Sequence, residues 1–537
     1  MKPFDTEFQR LIVPRWRSFR ETASAGELAS VRLTGSGELT GLDIEAKAED
    51  WRQRRDIASA TTLLEAATVS GDTAQGAEAA DYLLRTDVTA TAAVQFLARA
   101  VANGLPGRPS DAVGDPRALI GAAKWRLSQE PRDSLLWVDL ARLYSTVGQH
   151  KPSMHAMEVA LALAPNNRFV VRSAARLFIH SNDPERAHAV LTGAPATASD
   201  PWLMASEIAV ASLAEHRPRS FRAGRQALSD ARHSPWTLSE LAGAVGTEEA
   251  GAGSLGQAKK AFRQSLIDPN DNAIAQAAWA ARRYRTGTVD QTLIATKPRT
   301  FEAATWSAYF SGDFLKCYEE AERWMLDEPY SPNPAIHGSF IAVSILDEYK
   351  KGETLALAGL IANPRDRMLK NNLLVALACQ GRTQEAGRLF NEIKWGDFDP
   401  YANGALGLIA SRSGRLLDAL DYYLEALACA IDTNDMPAWG RATFHFLKEL
   451  ALWSPESTRR ISDLATRLLK TLTLPEFRHY DAKLRSFVDN PPPLLAHVAS
   501  HGDNDVREGL VTTVLEAFEE KLADAEDPRR RRRTGRN

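Results

Sequence analysis

Several things that mark a catalytic, secreted or membrane-bound chain are scarce in this one. Cysteine occurs three times in 537 residues, as Cys317, Cys379 and Cys429. Their wide, unequal spacing excludes a disulfide framework or a CxxC metal site, and they read as small apolar residues of a reducing compartment. No apolar run approaches the roughly 20 residues that span a bilayer. The opening residues mix Asp5 and Glu7 with arginines around the short run Leu11 to Val13, which is no signal peptide. A soluble, cytoplasmic protein is expected. Charge of one sign is also lacking: the net charge is -3, so the chain as a whole has no strong pull toward nucleic acid or anionic membrane.

Catalytic signatures are missing as well. The sequence contains no HExxH, no phosphate-loop GxxxxGK[ST], no GxGxxG set between strand and helix, and no GxSxG. Gly251, Gly253 and Gly256 approach a glycine-rich loop, but they lead into the helix Gln257 to Ile267 and no strand precedes them. The eleven histidines are scattered without ligand spacing, and Glu319-Glu320 and Glu519-Glu520 fall on polar helix faces. No catalytic residue, cofactor or metal is therefore expected.

What is present is a helical period that repeats. From Ser134 to Asn166, Trp137, Leu140, Ala141 and Tyr144 share one helical face, and a turn follows at Val147-Gly148. A second helix then carries Met154, Met157, Ala160 and Leu161 and stops at Pro165-Asn166. The pattern returns one period on, with Ala174, Ala175, Phe178, Asp183, Ala187, Leu191 and Ala194. In the second half it recurs as Ala304, Thr305, Ala308, Gly312, Cys317, Ala321, Trp324 and Pro329. Leu373, Leu374, Leu377, Gly381, Ala386, Phe390 and Ile393 form a further copy, and Leu406, Gly407, Ala410, Gly414, Ala419, Tyr423 and Ala426 another. Between them lies a degenerate unit with Phe340, Gly352, Ala356, Gly359 and Pro364.

These units resemble the tetratricopeptide repeat (TPR), whose W-x2-L-G-x2-Y…A-x3-F…P pattern recurs every 34 residues or so. The resemblance implies an all-α fold: a right-handed TPR-like α-solenoid of antiparallel helix pairs, in which each unit packs mainly on its neighbours. Residues 1–41 then form an N-terminal arm with the basic and aromatic cluster Arg15, Trp16, Arg17, Phe19 and Arg20, which either caps the array or binds a partner. Residues 42–285 are a first half-array, which includes a helix from about Ala90 to Ala102 and extra turn residues Glu248 to Ser254. Residues 286–300 are a joint, and 301–489 a second half-array closed by a capping helix. Residues 490–504, with Pro491-Pro492-Pro493, are a linker, 505–524 an amphipathic helix and 525–537 a disordered arginine-rich tail.

In the family the first helix of each pair lines the concave side, and its ligand-facing positions map onto two stripes here. In the first half they carry Asp139, Arg142, Thr146, Arg172, Arg176 and His180, a basic stripe suited to an acidic or phosphate-bearing partner unless its arginines pair with neighbouring carboxylates. In the second half they carry Trp306, Tyr309, Phe310, His337, Ile341, Ile345, Asn371, Asn372 and Val375, an apolar and aromatic groove for an extended or helical segment. Near the C-terminus, Leu510, Val514, Phe518 and Leu522 form a stripe that must be buried, whether on its own solenoid, a second copy or another protein. The functional expectation is a non-catalytic scaffold or adaptor that holds a partner protein in its groove. Two alternatives remain: a nucleic-acid-associated protein using the arm, tail and basic stripe, and a regulatory subunit of a separately encoded enzyme.

Overall fold

A computed structural model describes residues 12–18, 44–70, 73–85, 116–229, 233–494, 498 and 503–526. The described residues are all-α, with no strand among them, and they fall into two compact units, the chain dividing between Thr300 and Phe301. Each unit is a TPR-like array of antiparallel helix pairs. The helix expected from about Ala90 to Ala102, Phe19 and Arg20 of the arm, and the arginine-rich tail lie outside the described residues.

The first unit contains α1 (Ile44–Arg54), α2 (Ile57–Ser70), α3 (Thr73–Arg85), α4 (Pro116–Gln129), α5 (Ser134–Thr146), α6 (His150–Leu163), α7 (Arg168–His180), α8 (Pro184–Gly193), α9 (Pro201–Leu213), α10 (Phe221–Ala227), α11 (Pro235–Gly251), α12 (Leu255–Ser265), α13 (Asp271–Tyr284) and α14 (Gln291–Thr296). Side-chain caps start many of these helices: Asp133, Asn167, Asp183, Asp200 and Asn270 each accept from a backbone N–H of the first turn. The first helices α5, α7, α9, α11 and α13 lie side by side and form the inner face. The extra residues expected in the turn after Val245 instead lengthen α11 to Gly251, because Thr247, Glu249 and Ala250 are buried along it. The joint expected at 286–300 carries the short helix α14, held by Ile294 in the interior and by Thr300 Oγ1 donating to the Ile294 carbonyl at 2.5 Å.

The second unit contains α15 (Phe301–Ser311), α16 (Phe314–Asp327), α17 (Pro332–Phe340), α18 (Tyr349–Ala362), α19 (Arg367–Cys379), α20 (Thr383–Glu392), α21 (Pro400–Arg412), α22 (Leu416–Asp432), α23 (Met436–Trp453), α24 (Thr458–Leu469), α25 (Pro475–Asp489) and α26 (Asn504–Glu526). At successive turns inside the pairs stand Gly312, Asp347, Gly381 and Gly414, with φ of 81°, 59°, 80° and 83°. One left-handed residue is thus required about every 34 positions, which is why glycine recurs there. Asp347 takes the same backbone without that freedom, and its carboxylate pairs with both Lys448 and Lys483.

The degenerate unit departs from a regular helix at one place. After Phe340 the chain widens into a π turn, Ile341–Ile345, whose Ile345 carbonyl accepts from Lys483 Nζ and lies 3.2 Å from His479 Nε2. A π turn inserts one residue into the helical register and re-aims the side chains around it. Here Val343 and Ser344 line a cleft together with residues of α19, α21 and α23. Gly359 lets α18 close on its neighbours: a Cβ there would stand 2.5 Å from Ala335 Cβ.

Candidate functional site

The inner face of the first array already holds a peptide, and that peptide is the chain's own. Residues 12–18 have no helical or strand structure and lie against α5, α9, α11 and α13. Ile12 packs with Met204, Ile208 and Leu241, and Gly243 makes room for it: a Cβ there would be 3.0 Å from Ile12 Cδ1. Asn272 Nδ2 donates to the Val13 carbonyl at 2.9 Å, and Arg142 Nε donates to the Trp16 carbonyl at 3.3 Å. The Trp16 indole is fully buried. On either side of it, Arg17 makes a two-pronged contact with Asp271 at 2.8 and 3.1 Å, and Arg15 Nε reaches the same carboxylate at 3.1 Å. Burial would raise the Asp271 carboxyl, but the Arg17 and Arg15 guanidiniums outweigh it and hold it at about 2. Ser18 Oγ donates to Asp139.

For Arg142 and Arg172 the arrangement matches the alternative in which the basic stripe is engaged within the chain. Arg142 is buried and directed at the Trp16 carbonyl, while Arg172 pairs with Glu240 at 2.6 Å and lies over the Trp202 ring. The other Glu240 oxygen accepts from Asn272 at 3.2 Å, so Arg172 helps set the amide that grips Val13. Arg176 and His180 are half-buried at the end of α7, where burial, then Arg176 and His150, push the His180 imidazole down to about 3. Arg142 and Arg172 are thus engaged inside the array. Residues 12–18 of the arm, which was expected as an end cap or a partner-binding element, lie along the inner face.

The second array is open at the corresponding place. Four successive first helices, α17 with its π turn, α19, α21 and α23, line a cleft of about 80 Å³. Phe340, Val343, Met368, Val375, Leu408 and Ala442 supply apolar walls, with Asn371, Tyr423, Arg441 and His445 as polar groups. Asn371 Oδ1 and the Tyr423 hydroxyl are buried, and neither finds a hydrogen-bond partner among the described residues. Arg441 is held by Glu476 at 2.9 Å and by the Tyr401 hydroxyl at 3.1 Å. Burial, then Lys448, drives the His445 imidazole down to about 3, so it is neutral. A space of this size suits a short side chain or a few waters.

Of the nine groove residues expected from the repeat positions, Asn371, Asn372 and Val375 line this cleft. Tyr309, Ile341 and Ile345 are at most 1% exposed and belong to the core. Their positions face inward because the π turn shifts the register and because Tyr309 reaches across to Glu476. His337 is buried against Trp306, with ring centroids 4.5 Å apart, and its imidazole is pushed down to about 3 by burial. Trp306 and Phe310 are half-buried and pack on the same core, so they do not wall an open groove. Reading the sequence alone missed Tyr401, Gly404, Arg441 and His445. Arg441 stands about one repeat on from Ala405, itself one repeat on from Asn371, so the repeat period alone reaches it.

The C-terminal stripe is spent within the same unit. Val511, Val514, Leu515, Phe518 and Leu522 join the core formed with α22 to α25, Leu510 packs at its edge, and Phe518 sits 4.8 Å from Phe446. Arg460 bonds Glu519 at 3.1 Å beside it. Among the described residues there is no group of three His, Cys, Asp or Glu side chains placed to hold a metal, and no helix long and apolar enough to cross a membrane.

No family model matches the chain, and no curated protein matches it by sequence. In structure it is similar to yeast Tom70 (TM-score 0.27, 11% identity), over 92% of this chain and 99% of that one. It is also similar to the APC/C hetero-tetramer Cut9-Hcn1 (0.30, 12%, 78% and 94%) and to the human IFIT1 dimer with PPP-AAAA (0.29, 11%, 84% and 94%). Likenesses of this depth carry no conclusion about the site or its ligand.

Proposed function

We propose that this chain is a non-catalytic helical-repeat adaptor that holds a segment of another protein in the cleft of its second array. The observation that carries this reading is the pairing of apolar walls on four adjoining first helices with two unsatisfied polar atoms, Asn371 Oδ1 on α19 and the Tyr423 hydroxyl, which reaches in from the second helix α22. An unpaired buried polar atom costs about 1 to 3 kcal/mol, and a partner backbone N–H offered to Asn371 would recover part of that while an apolar side chain fills the cleft. The nucleic-acid alternative has weaker support, since Arg142 and Arg172 are engaged within the first array.

Gly404 supplies a clean test. It lines the cleft, and a Cβ added there meets nothing within 4 Å. Gly404→Trp is therefore expected to fill the cleft and leave the fold intact. Proteins recovered with the wild-type chain should be lost with this variant while the melting temperature stays the same. Recovery of the same partners in the same amounts would remove the cleft from consideration.

A further inference from the structure

The first array contains what a peptide-binding groove needs, together with an occupant. Its grip on residues 12–18 is made by side chains: Asn272 and Arg142 take main-chain carbonyls, which any extended segment offers. Sequence is read at three further points. Gly243, Met204, Ile208 and Leu241 form an aliphatic seat for Ile12, the interior takes the Trp16 indole, and Asp271 reads an arginine on each side of it. Main-chain contacts that set register beside pockets that set sequence are the general form of extended-peptide recognition. The occupant is not part of any repeat; residues 19–43 join it to α1.

We propose that this groove is a binding site for an extended segment of another protein, one with an aliphatic residue four positions before a tryptophan flanked by arginines. Residues 12–18 are its resident competitor. A competitor on the same chain binds intramolecularly and outcompetes a free segment of equal intrinsic affinity, so a free segment of the same chemistry gains access only when the hold on residues 12–18 is weakened. The specificity follows from the side chains. An acidic segment is repelled by Asp271, and a segment lacking the aliphatic residue leaves the Gly243 seat empty. This site lies wholly within the first unit, so its test and that of the second-array cleft succeed or fail separately.

The probe is a fluorescent synthetic peptide with the sequence of residues 10–20, followed by anisotropy. The chain lacking residues 1–18 should bind it saturably, at least tenfold more tightly than the full chain does. In the shortened chain, Asp271→Asn and Gly243→Val should each weaken binding at least tenfold, and a peptide carrying Trp16→Ala should fail to compete. A shortened chain that is folded by circular dichroism but ignores the peptide overturns the proposal, as does equal binding by both chains. If the shortened chain does not fold, the full chain with Trp16→Ala and Arg17→Ala in its arm must bind the peptide where the wild type does not; failure there overturns the proposal equally. A concentration-dependent dimer of the wild type that Gly243→Val abolishes would show that the exchanging segment is a second copy's arm, and would overturn the assignment to another protein.

Discussion

Replacing Glu476 with Gln should destabilise the second array far more than one lost hydrogen bond would. Glu476 is fully buried on α25 and takes Arg441 of α23 at 2.9 Å, while the Tyr309 hydroxyl of α15 donates to its other oxygen. Arg441 is itself only 6% exposed, so Glu476→Gln leaves a buried guanidinium without its counter-charge. Breaking a buried pair from one side costs about 3 to 5 kcal/mol. For a unit of this size each kcal/mol moves the melting temperature by about 2 to 4 °C, so a fall on the order of 10 °C is expected in differential scanning calorimetry. Tyr309→Phe removes one hydrogen bond to a charged group and should cost less, about 1.5 to 3 kcal/mol. The double change Arg441→Met with Glu476→Leu should be more stable than Glu476→Gln alone, because no orphaned charge remains. A Glu476→Gln protein within about 0.5 kcal/mol of wild type, the range of an ordinary surface substitution, would refute the reasoning.

Three other expectations follow from the same structure. Gly359→Ala forces a Cβ to 2.5 Å from Ala335 Cβ and 2.9 Å from Leu369 Cδ1; overpacking of about 1 to 3 kcal/mol should exceed the gain of about 1 kcal/mol in helix propensity. Gly387→Ala, in α20 with nothing within 4 Å, should instead stabilise, and urea midpoints for the two should move in opposite directions. The His337 and His445 imidazoles are held down at about 3 by burial, so the unfolded chain binds protons that the folded chain refuses. Their contribution is complete above the unfolded value near 6.5 and is lost as pH falls toward 3, at up to about 1.4 kcal/mol per pH unit for each histidine; His337→Phe should flatten that slope in chemical denaturation between pH 6 and 4. The Cys317 thiol is buried and pushed up to about 12, chiefly by that burial, so at pH 8 it should resist iodoacetamide in the native protein and react once unfolded.

What the sequence alone determined is the repeated helix pair. Small residues at Ala174, Ala321 and Ala386, turn glycines at Gly381 and Gly414 and capping residues such as Asp133 act over a few neighbours, so their spacing is legible without a structure. It also placed Asn371, Asn372 and Val375 on the cleft, because those positions follow the repeat. Tertiary structure decided everything that depends on distant partners. Whether Arg142 and Arg172 faced a ligand or paired within the chain stayed open in the sequence, until Trp16 and Glu240 were brought to them from outside their own repeats. Tyr309, Ile341 and Ile345 looked like groove walls, but a π turn and a carboxylate 167 residues away put them in the core. The period of a solenoid fixes which helix face a residue occupies; whether that face meets water or the chain itself depends on which distant segment comes to lie against it.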